Sequence, residues 1–183
     1  MQNNEHDQIQ VEVSAGRALV WDLEDLKTLR TKHRIIGAMV GSLEAQPLQN
    51  IFYGMPLALL PEEVSLLQKQ GLIYITNTGD GAGWNYPQNA KERDRCTVFE
   101  YLWTKGYYVT CGTKFGGDFL VYPGDPARYH SHYVVTVVQE SDTFDPRSLV
   151  ATGRLGSNVK KTQVKACVSN GSVQLWSVQW AAI

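Results

Sequence analysis

The alternation of hydrophobic and polar positions in the first half of the chain predicts a small α+β unit. Residues 8–13 alternate polar and apolar side chains, as a half-buried strand does. Asp22 is a favourable N-cap, and Pro61 followed by two glutamates is typical of a first helical turn. The predicted elements are strands over 8–13 and 18–21, a helix over about 23–33, a helix from Pro61 to Gly71, and a strand over 72–76. The pattern assigns no element to the glycine-containing residues 35–56.

The second half predicts one helix followed mainly by strands. The run 133–138 is apolar on both faces, so we expect a strand that is covered on both sides. The apolar stripe of the helix is predicted on Cys96, Phe99, Leu102 and Trp103. The predicted elements are a helix over about 90–105, strands over 107–111, 119–122 and 132–138, a short helix capped by Asp145, and a hairpin of 165–169 with 172–180 about Asn170-Gly171.

These elements place the chain in the α/β class, as an α+β arrangement of two small domains. We predict an N-terminal α+β domain over 1–76, a linker over 77–89, and a C-terminal domain over 90–183. The second domain is expected to hold a mixed central sheet flanked by helices. The glycine run 79–83 lacks the Gly-Lys-Ser/Thr ending of a phosphate-binding loop, so a nucleotide site is not expected there.

The composition is that of a globular protein. Of 183 residues, 43% are hydrophobic and 19% are charged, which argues against disorder and against fibrous repeats. No apolar run approaches the roughly 18 residues needed to cross a bilayer. The polar first seven residues do not resemble a signal peptide. Three dispersed cysteines without such a signal predict reduced thiols in the cytosol or nucleus.

The net charge of −1 conceals an asymmetry between the two halves. Residues 1–90 hold six Lys/Arg and ten Asp/Glu, whereas residues 91–183 hold eleven and eight. No acidic residue follows Asp145. This basic stretch predicts contact with an anionic ligand, and a basic face that is merely solvated is the alternative.

Metal-dependent and nucleophilic chemistry find little support in the residue pattern. His130 and His132 are spaced to share one face of a strand, but a zinc site needs a third and a fourth ligand. The triplet Asp25-Leu-Lys27 lies within a helix, where surface ion pairing explains it better than a nuclease motif. No Gly-x-Ser-x-Gly elbow is present. We therefore expect no metal ion and no other cofactor.

One segment combines residues that suit a different chemistry. Residues 115–130 contain a double glycine, a strand that ends in Tyr122, a Pro-Gly-Asp-Pro turn and His130, and the basic stretch 154–162 follows. Tyrosine, histidine and lysine together can cleave RNA without a metal. One group takes the 2′-hydroxyl proton, another protonates the leaving 5′-oxygen, and the cation offsets charge on the phosphorane. On spacing alone, the alternative is a tyrosine that only packs at its strand end.

Three parts of the chain closely resemble the tRNA-splicing endonuclease family: this segment, residues 154–162 and the ending 175–181. The similarity is greatest to the family's eukaryotic catalytic subunits that cut the 3′ splice site. The string Lys-Phe-Gly-Gly-Asp-Phe-Leu-Val-Tyr-Pro-Gly-Asp-Pro is the most specific part, and weaker similarity covers 16–21 and 56–71. The resemblance implies a C-terminal nuclease domain. It also implies an endoribonuclease of the tRNA-intron lyase type, which leaves a 2′,3′-cyclic phosphate and a 5′-hydroxyl.

The resemblance also implies roles for individual residues. Tyr122 corresponds to the general base, His130 to the general acid, and Lys161 to the group that stabilises the transition state. His132 and Lys160 are the alternatives for the last two, because each lies within two residues of the matched position.

For binding and assembly, the resemblance implies that Arg154 and Trp180 form part of a cation–π clamp on the RNA. Precursor tRNA is the implied substrate. The implied partners are a small structural subunit joined through the C-terminal strand, a second catalytic subunit and a large structural subunit. No membrane association is implied. The nucleus is the expected location. Two alternatives stay open: a non-catalytic scaffold or RNA-binding subunit, and a last strand that is buried within the chain's own sheet.

The spacing between the two domains departs from the family pattern. Animal members usually carry a long charged insert between their domains, whereas only about 77–89 separates them here. Either this member is compact, or the insert has been removed.

Overall fold

The computed structural model describes residues 8–42, 54–77 and 83–179, and the chain divides into two units, 1–87 and 88–183. Residues 43–53 of the unassigned region and 78–82 of the predicted linker lie outside the described residues. None of the helices in the described ranges is long and apolar enough to cross a membrane.

The first unit is built on a mixed five-stranded sheet. Its elements are β1 Ile9–Ser14, β2 Arg17–Val20, α1 Leu23–His33, β3 Ala38–Gly41, β4 Gly54–Leu59, α2 Pro61–Lys69 and β5 Ile73–Asn77. The strand order is β3-β4-β2-β1-β5, and only the β1–β5 pair is parallel. Asp22 caps α1 as predicted, because its carboxylate accepts from the N–H groups of Glu24 and Asp25 at 2.8 and 2.9 Å.

Two glutamates in the first turn of α2 are buried in this unit. The carboxylate of Glu63 accepts backbone N–H bonds of 2.8 to 3.2 Å from Leu60, Gly37 and Ile36. Burial nevertheless raises the pKa of Glu63 to about 7. The hydroxyl of Tyr86 donates to Glu62 at 2.8 Å, so a residue of the predicted linker packs with the first unit.

The second unit holds another mixed five-stranded sheet, with a helix on each face. Its elements are α3 Ala90–Thr104, β6 Tyr108–Cys111, a 3₁₀ turn Thr113–Phe115, β7 Phe119–Tyr122, β8 Tyr133–Val138, α4 Pro146–Asn158, β9 Thr162–Ser169 and β10 Ser172–Val178. The order is β10-β9-β8-β7-β6, and only β8 and β9 are parallel. Two neighbouring residues of β9 contact different helices. Val164 lines a cavity together with Leu102 of α3, whereas Gln163 is approached by Gly156 of α4. Because neighbouring strand residues face opposite ways, the two helices cover opposite faces, as predicted.

Both helices of this unit differ from their predictions in detail. The buried stripe of α3 is Val98, Phe99 and Leu102, and Cys96 and Trp103 lie at its margins, only half-buried. The predicted short helix is α4, with 13 residues. Its two buried residues are glycines, which lower helix propensity but allow close packing on the sheet. The predicted Asp145 side-chain cap is wrong, because that side chain makes no capping bond.

The predicted hairpin about Asn170-Gly171 is confirmed, and both residues have positive φ, as a type I′ turn requires. Within the described part of the chain, β10 pairs only with β9 and forms the edge of the sheet. Leu175 and Trp176 point to opposite faces and are 42% and 49% exposed. The alternative of a last strand buried in the chain's own sheet is therefore wrong for residues 172–178.

Candidate active site

Three neighbouring strands bring the sequence-predicted catalytic positions to one edge of the second sheet. β7 ends at Tyr122, β8 begins at Tyr133 and β9 begins at Thr162. Because β7 and β8 are antiparallel and β8 and β9 are parallel, these three ends meet at the same edge. Backbone bonds of 2.9 Å join them there, from His132 N–H to the Val121 carbonyl and from Thr162 N–H to the His132 carbonyl.

Tyr122 is half-buried on the face of the sheet that α4 covers. Its neighbour Val121 faces the other way and lines the cavity next to Leu102 of α3. On the adjacent strand β6, the Thr110 hydroxyl donates a 3.4 Å hydrogen bond to the Tyr122 hydroxyl oxygen. Thr110 is paired with Leu120, so the phenol oxygen lies beside β6 rather than beyond the end of the sheet.

His130 lies in the loop between β7 and β8 and is exposed. Asp125 shapes this loop, because its carbonyl oxygen accepts from the N–H groups of Arg128 and Tyr129 at 2.8 and 3.0 Å. Ser131, directly after His130, is only 6% exposed and anchors the end of the loop. The loop thus has a fixed start and a fixed end around an accessible imidazole.

His132 is the alternative histidine, and it precedes β8 rather than lying within it. The predicted strand start at 132 is therefore one residue early. The His132 ring is exposed and lies edge-to-face with the Tyr133 ring, with centroids 6.2 Å apart. His130 is exposed as well, and its imidazole has no such aromatic partner among the described residues.

The two adjacent lysines have different environments. Lys161 is half-buried, and its ammonium donates a 3.2 Å hydrogen bond to the Ser131 carbonyl oxygen. The same ammonium lies 5.2 Å from the centre of the Phe115 ring. Lys160 is exposed and adopts a left-handed backbone conformation, with φ of 53°. The geometry therefore favours Lys161 over Lys160 as the lysine of the site.

Gly156 of α4 sets the approach of Lys161 to the sheet. The Lys161 N–H donates to the Gly156 carbonyl at 2.9 Å. A Cβ atom at position 156 would lie 2.8 Å from the Lys161 carbonyl oxygen, closer than any ordinary contact. Only glycine therefore allows the end of α4 to pack this closely against the start of β9.

Of the two predicted RNA-binding residues, Arg154 lies within the described residues and Trp180 lies outside them. Arg154 is exposed on α4. A cavity of about 210 Å³ lies beside Gly153, the residue before Arg154. It is lined by Gly153, Gly156, Ser157, Lys161, Thr162, Val178 and Gln179. Trp180, the other member of the expected clamp, lies outside the described residues. The clamp itself therefore stays a prediction.

The reasoning from sequence missed two residues of the site, Phe115 and Ser131. Both lie in or beside the segment that it singled out, and the double glycine after Phe115 was the available signal of close packing. The Asp25-Leu-Lys27 triplet is confirmed as a surface feature, since Lys27 pairs with Glu24 at 2.6 Å. Within the described ranges, no group of three or more His, Cys, Asp or Glu side chains is arranged to hold a metal ion.

Comparison with known proteins gives matches for both units. The family model described as "TSEN34-like, N-terminal domain" matches residues 9–78. The model described as "tRNA intron endonuclease, catalytic C-terminal domain" matches residues 93–175.

Among individual relatives, the "tRNA-splicing endonuclease subunit Sen34" of Homo sapiens is 40% identical over 101 residues, covering 55% of this chain and 33% of the human protein. The chain therefore spans about a third of that relative. The "Probable tRNA-splicing endonuclease subunit sen34" of Schizosaccharomyces pombe is 25% identical, with 80% of this chain and 82% of the relative covered. The "tRNA-splicing endonuclease" of Saccharolobus solfataricus is 32% identical over 145 residues, covering 67% of this chain and 80% of the relative. With both units matched and an archaeal relative covered over most of its length, the chain belongs to the tRNA-splicing endonuclease family.

Proposed function

We propose that this chain is the catalytic subunit of a tRNA-splicing endonuclease that cleaves precursor tRNA at the 3′ splice site. The observation that supports the proposal is that the end of β7 at Tyr122, the loop that contains His130 and the start of β9 after Lys161 lie at one edge of the second sheet. These side chains supply a base, an acid and a positive charge, which are the groups that RNA cleavage needs.

The proposed reaction is a transesterification within the RNA. Tyr122 takes the proton of the 2′-hydroxyl, and the 2′-oxygen attacks the neighbouring phosphorus. The bond from phosphorus to the 5′-oxygen breaks, and His130 protonates that oxygen as it leaves. Lys161 opposes the negative charge that develops on the phosphoryl oxygens. The products are a 2′,3′-cyclic phosphate and a 5′-hydroxyl, and the scheme uses no metal ion.

Binding and assembly form the second part of the proposal. Arg154 and Trp180 contact the RNA, and the acid-free stretch after Asp145 meets its phosphates. The edge strand β10 pairs with a strand of a homologous small structural subunit. Beside β10, an apolar cavity of about 280 Å³ is open to side chains of that subunit. A second catalytic subunit and a large structural subunit complete the complex, which acts in the nucleus.

The test is single-turnover cleavage of precursor tRNA by the assembled complex. His130→Ala should slow cleavage at the 3′ site by about 10²–10⁴-fold, because it removes a placed proton donor. His132→Ala is the matched control and should change the rate far less. Cleavage should persist with a chelator and should leave the cyclic phosphate. If both histidine variants cut the 3′ site at the normal rate, the chain is a non-catalytic scaffold or RNA-binding subunit and the proposal is wrong.

A further inference from the structure

We propose that Phe115 is a positioning residue for Lys161, with its ring serving as a cation–π platform for the lysine ammonium. This inference rests on the catalytic role proposed above for Lys161. It gives a function to the aromatic residue that directly precedes the double glycine of the 115–130 segment.

The contacts of the ammonium carry the inference. Lys161 Nζ lies 5.2 Å from the Phe115 ring centre and 3.2 Å from the Ser131 carbonyl oxygen. The first distance is within the range in which a ring face attracts a cation. Among the described residues, no carboxylate pairs with this ammonium. The lysine is thus held by a ring and a carbonyl, neither of which carries a negative charge that would cancel its own.

The ring itself is presented by a tightly bonded turn. The Phe115 N–H donates to the Gly112 carbonyl at 2.8 Å and closes the 3₁₀ turn. A Cβ at Gly117 would lie 2.5 Å from a methyl carbon of Val134, so glycine is needed where the turn meets β8. On the other side, Leu155 of α4 approaches to within van der Waals contact of the Gly116 position. The turn is therefore confined between β8 and α4.

Asp118 then fastens the turn to the rest of the unit. Its N–H donates to the Val135 carbonyl at 2.8 Å, and one carboxylate oxygen accepts from the Val137 N–H at 2.7 Å. The other oxygen accepts from Arg95 of α3, whose guanidinium lies 5.1 Å from the Phe119 ring centre. The platform under Lys161 is thus anchored to a central strand and to α3.

A held ammonium is better suited to the proposed reaction than a mobile one. A lysine side chain has many rotamers, and each molecule with the wrong one lacks the charge where the phosphorane forms. An ammonium that is already in place stabilises that charge without reorganisation at the moment of reaction. Its three N–H donors exceed the single carbonyl acceptor, so donors remain for the phosphoryl oxygens.

The experiment measures single-turnover cleavage by the assembled complex with Phe115→Leu, Phe115→Tyr and the control Phe144→Leu. Phe144 is an exposed phenylalanine of the same unit. The leucine variant should lower the rate at saturating complex roughly three- to tenfold, because it removes the ring face but keeps apolar bulk. The concentration of complex that gives half of the maximal rate should stay unchanged. The tyrosine variant should retain the rate, since it keeps the ring.

A double-mutant cycle with Lys161→Ala tests whether Phe115 acts through the lysine. In the Lys161→Ala background, Phe115→Leu should cause no further loss, and an equal loss in both backgrounds overturns the inference. If Phe115→Leu cleaves at the normal rate while Lys161→Ala is slow, the inference about Phe115 is wrong but the catalytic role of Lys161 stands. A normal rate for Lys161→Ala overturns the catalytic role of the lysine, and the inference with it. If the leucine variant does not fold, phenylalanines with increasing numbers of fluorine atoms at position 115 provide the test. Fluorine weakens the attraction of the ring face for a cation, so a cleavage rate that does not fall with added fluorine excludes a cation–π contact.

Discussion

The ammonium of Lys161 donates a hydrogen bond to the carbonyl oxygen of Ser131, the residue directly after His130. The bond spans 3.2 Å and joins the start of β9 to the loop before β8. A shift of the loop therefore moves the acceptor of the lysine, and a shift of the lysine loosens the loop. The proposed acid and the proposed cation are positioned relative to each other through one backbone group.

The two lysines at the end of α4 should differ sharply in a cleavage assay. Lys161→Ala should slow single-turnover cleavage by about 10²–10³-fold, the usual loss for a group that stabilises developing negative charge. Lys160→Ala, at an exposed position, should have little effect. Thermal unfolding of both variants provides the folding control. The opposite ranking of the two variants would assign the role to Lys160.

Arg154 should contribute to RNA affinity through a phosphate contact. Arg154→Ala should weaken precursor binding and reduce the salt dependence of log K by about one unit of slope. Arg93, an exposed arginine of α3 outside the acid-free stretch, is the control and should change the slope less. Binding measured at several salt concentrations gives both slopes. An unchanged slope for Arg154→Ala would mean that this arginine is structural.

The exposed edge strand should govern assembly with a homologous subunit. Leu175→Lys places a charge beside the apolar cavity next to β10, so the partner subunit should no longer co-purify. Val150→Lys on α4 is the control, because Val150 is 40% exposed and Leu175 is 42% exposed. Sedimentation of the unmodified chain alone should reveal self-association. Normal co-purification of the Leu175 variant would exclude β10 as the joining surface.

Glu63 should make the stability of the first unit depend on pH. Burial raises its pKa from 4.5 to about 7, so the folded state holds this proton more tightly than the unfolded state. The free energy of unfolding should therefore fall as the pH rises from about 4.5 to about 7, and level off above that range. Urea unfolding across this range measures the trend, and Glu63→Gln should remove it. Glu24→Gln, on the surface, should leave the trend unchanged, and a stability that rises with pH would contradict the assignment.

Local signals determined much of the fold. Asp22 predicts the start of α1 because a side chain can satisfy free N–H groups only two or three residues away. Asn170-Gly171 predicts the hairpin because few residue pairs tolerate two positive φ angles. The sequence also singled out Tyr122, His130 and Lys161, although their catalytic roles come from the family resemblance and stay predictions. Each of these inferences depends on neighbours along the chain or on a recognisable motif.

Contacts between distant segments were decided only by the tertiary structure. Ser131 and Lys161 meet because β8 and β9 are parallel neighbours that begin at the same edge of the sheet. Phe115 belongs to the turn before β7, at the opposite end of that strand from Tyr122, and its ring still lies 5.2 Å from the Lys161 ammonium. α4 extends to 13 residues through Gly153 and Gly156, since packing on the sheet outweighs their low helix propensity. The sequence by itself therefore determined which residue types were available for the site and where most strands and helices begin. Strand order and helix packing decided which of those residues are neighbours, because such contacts depend on the whole chain and leave no local pattern.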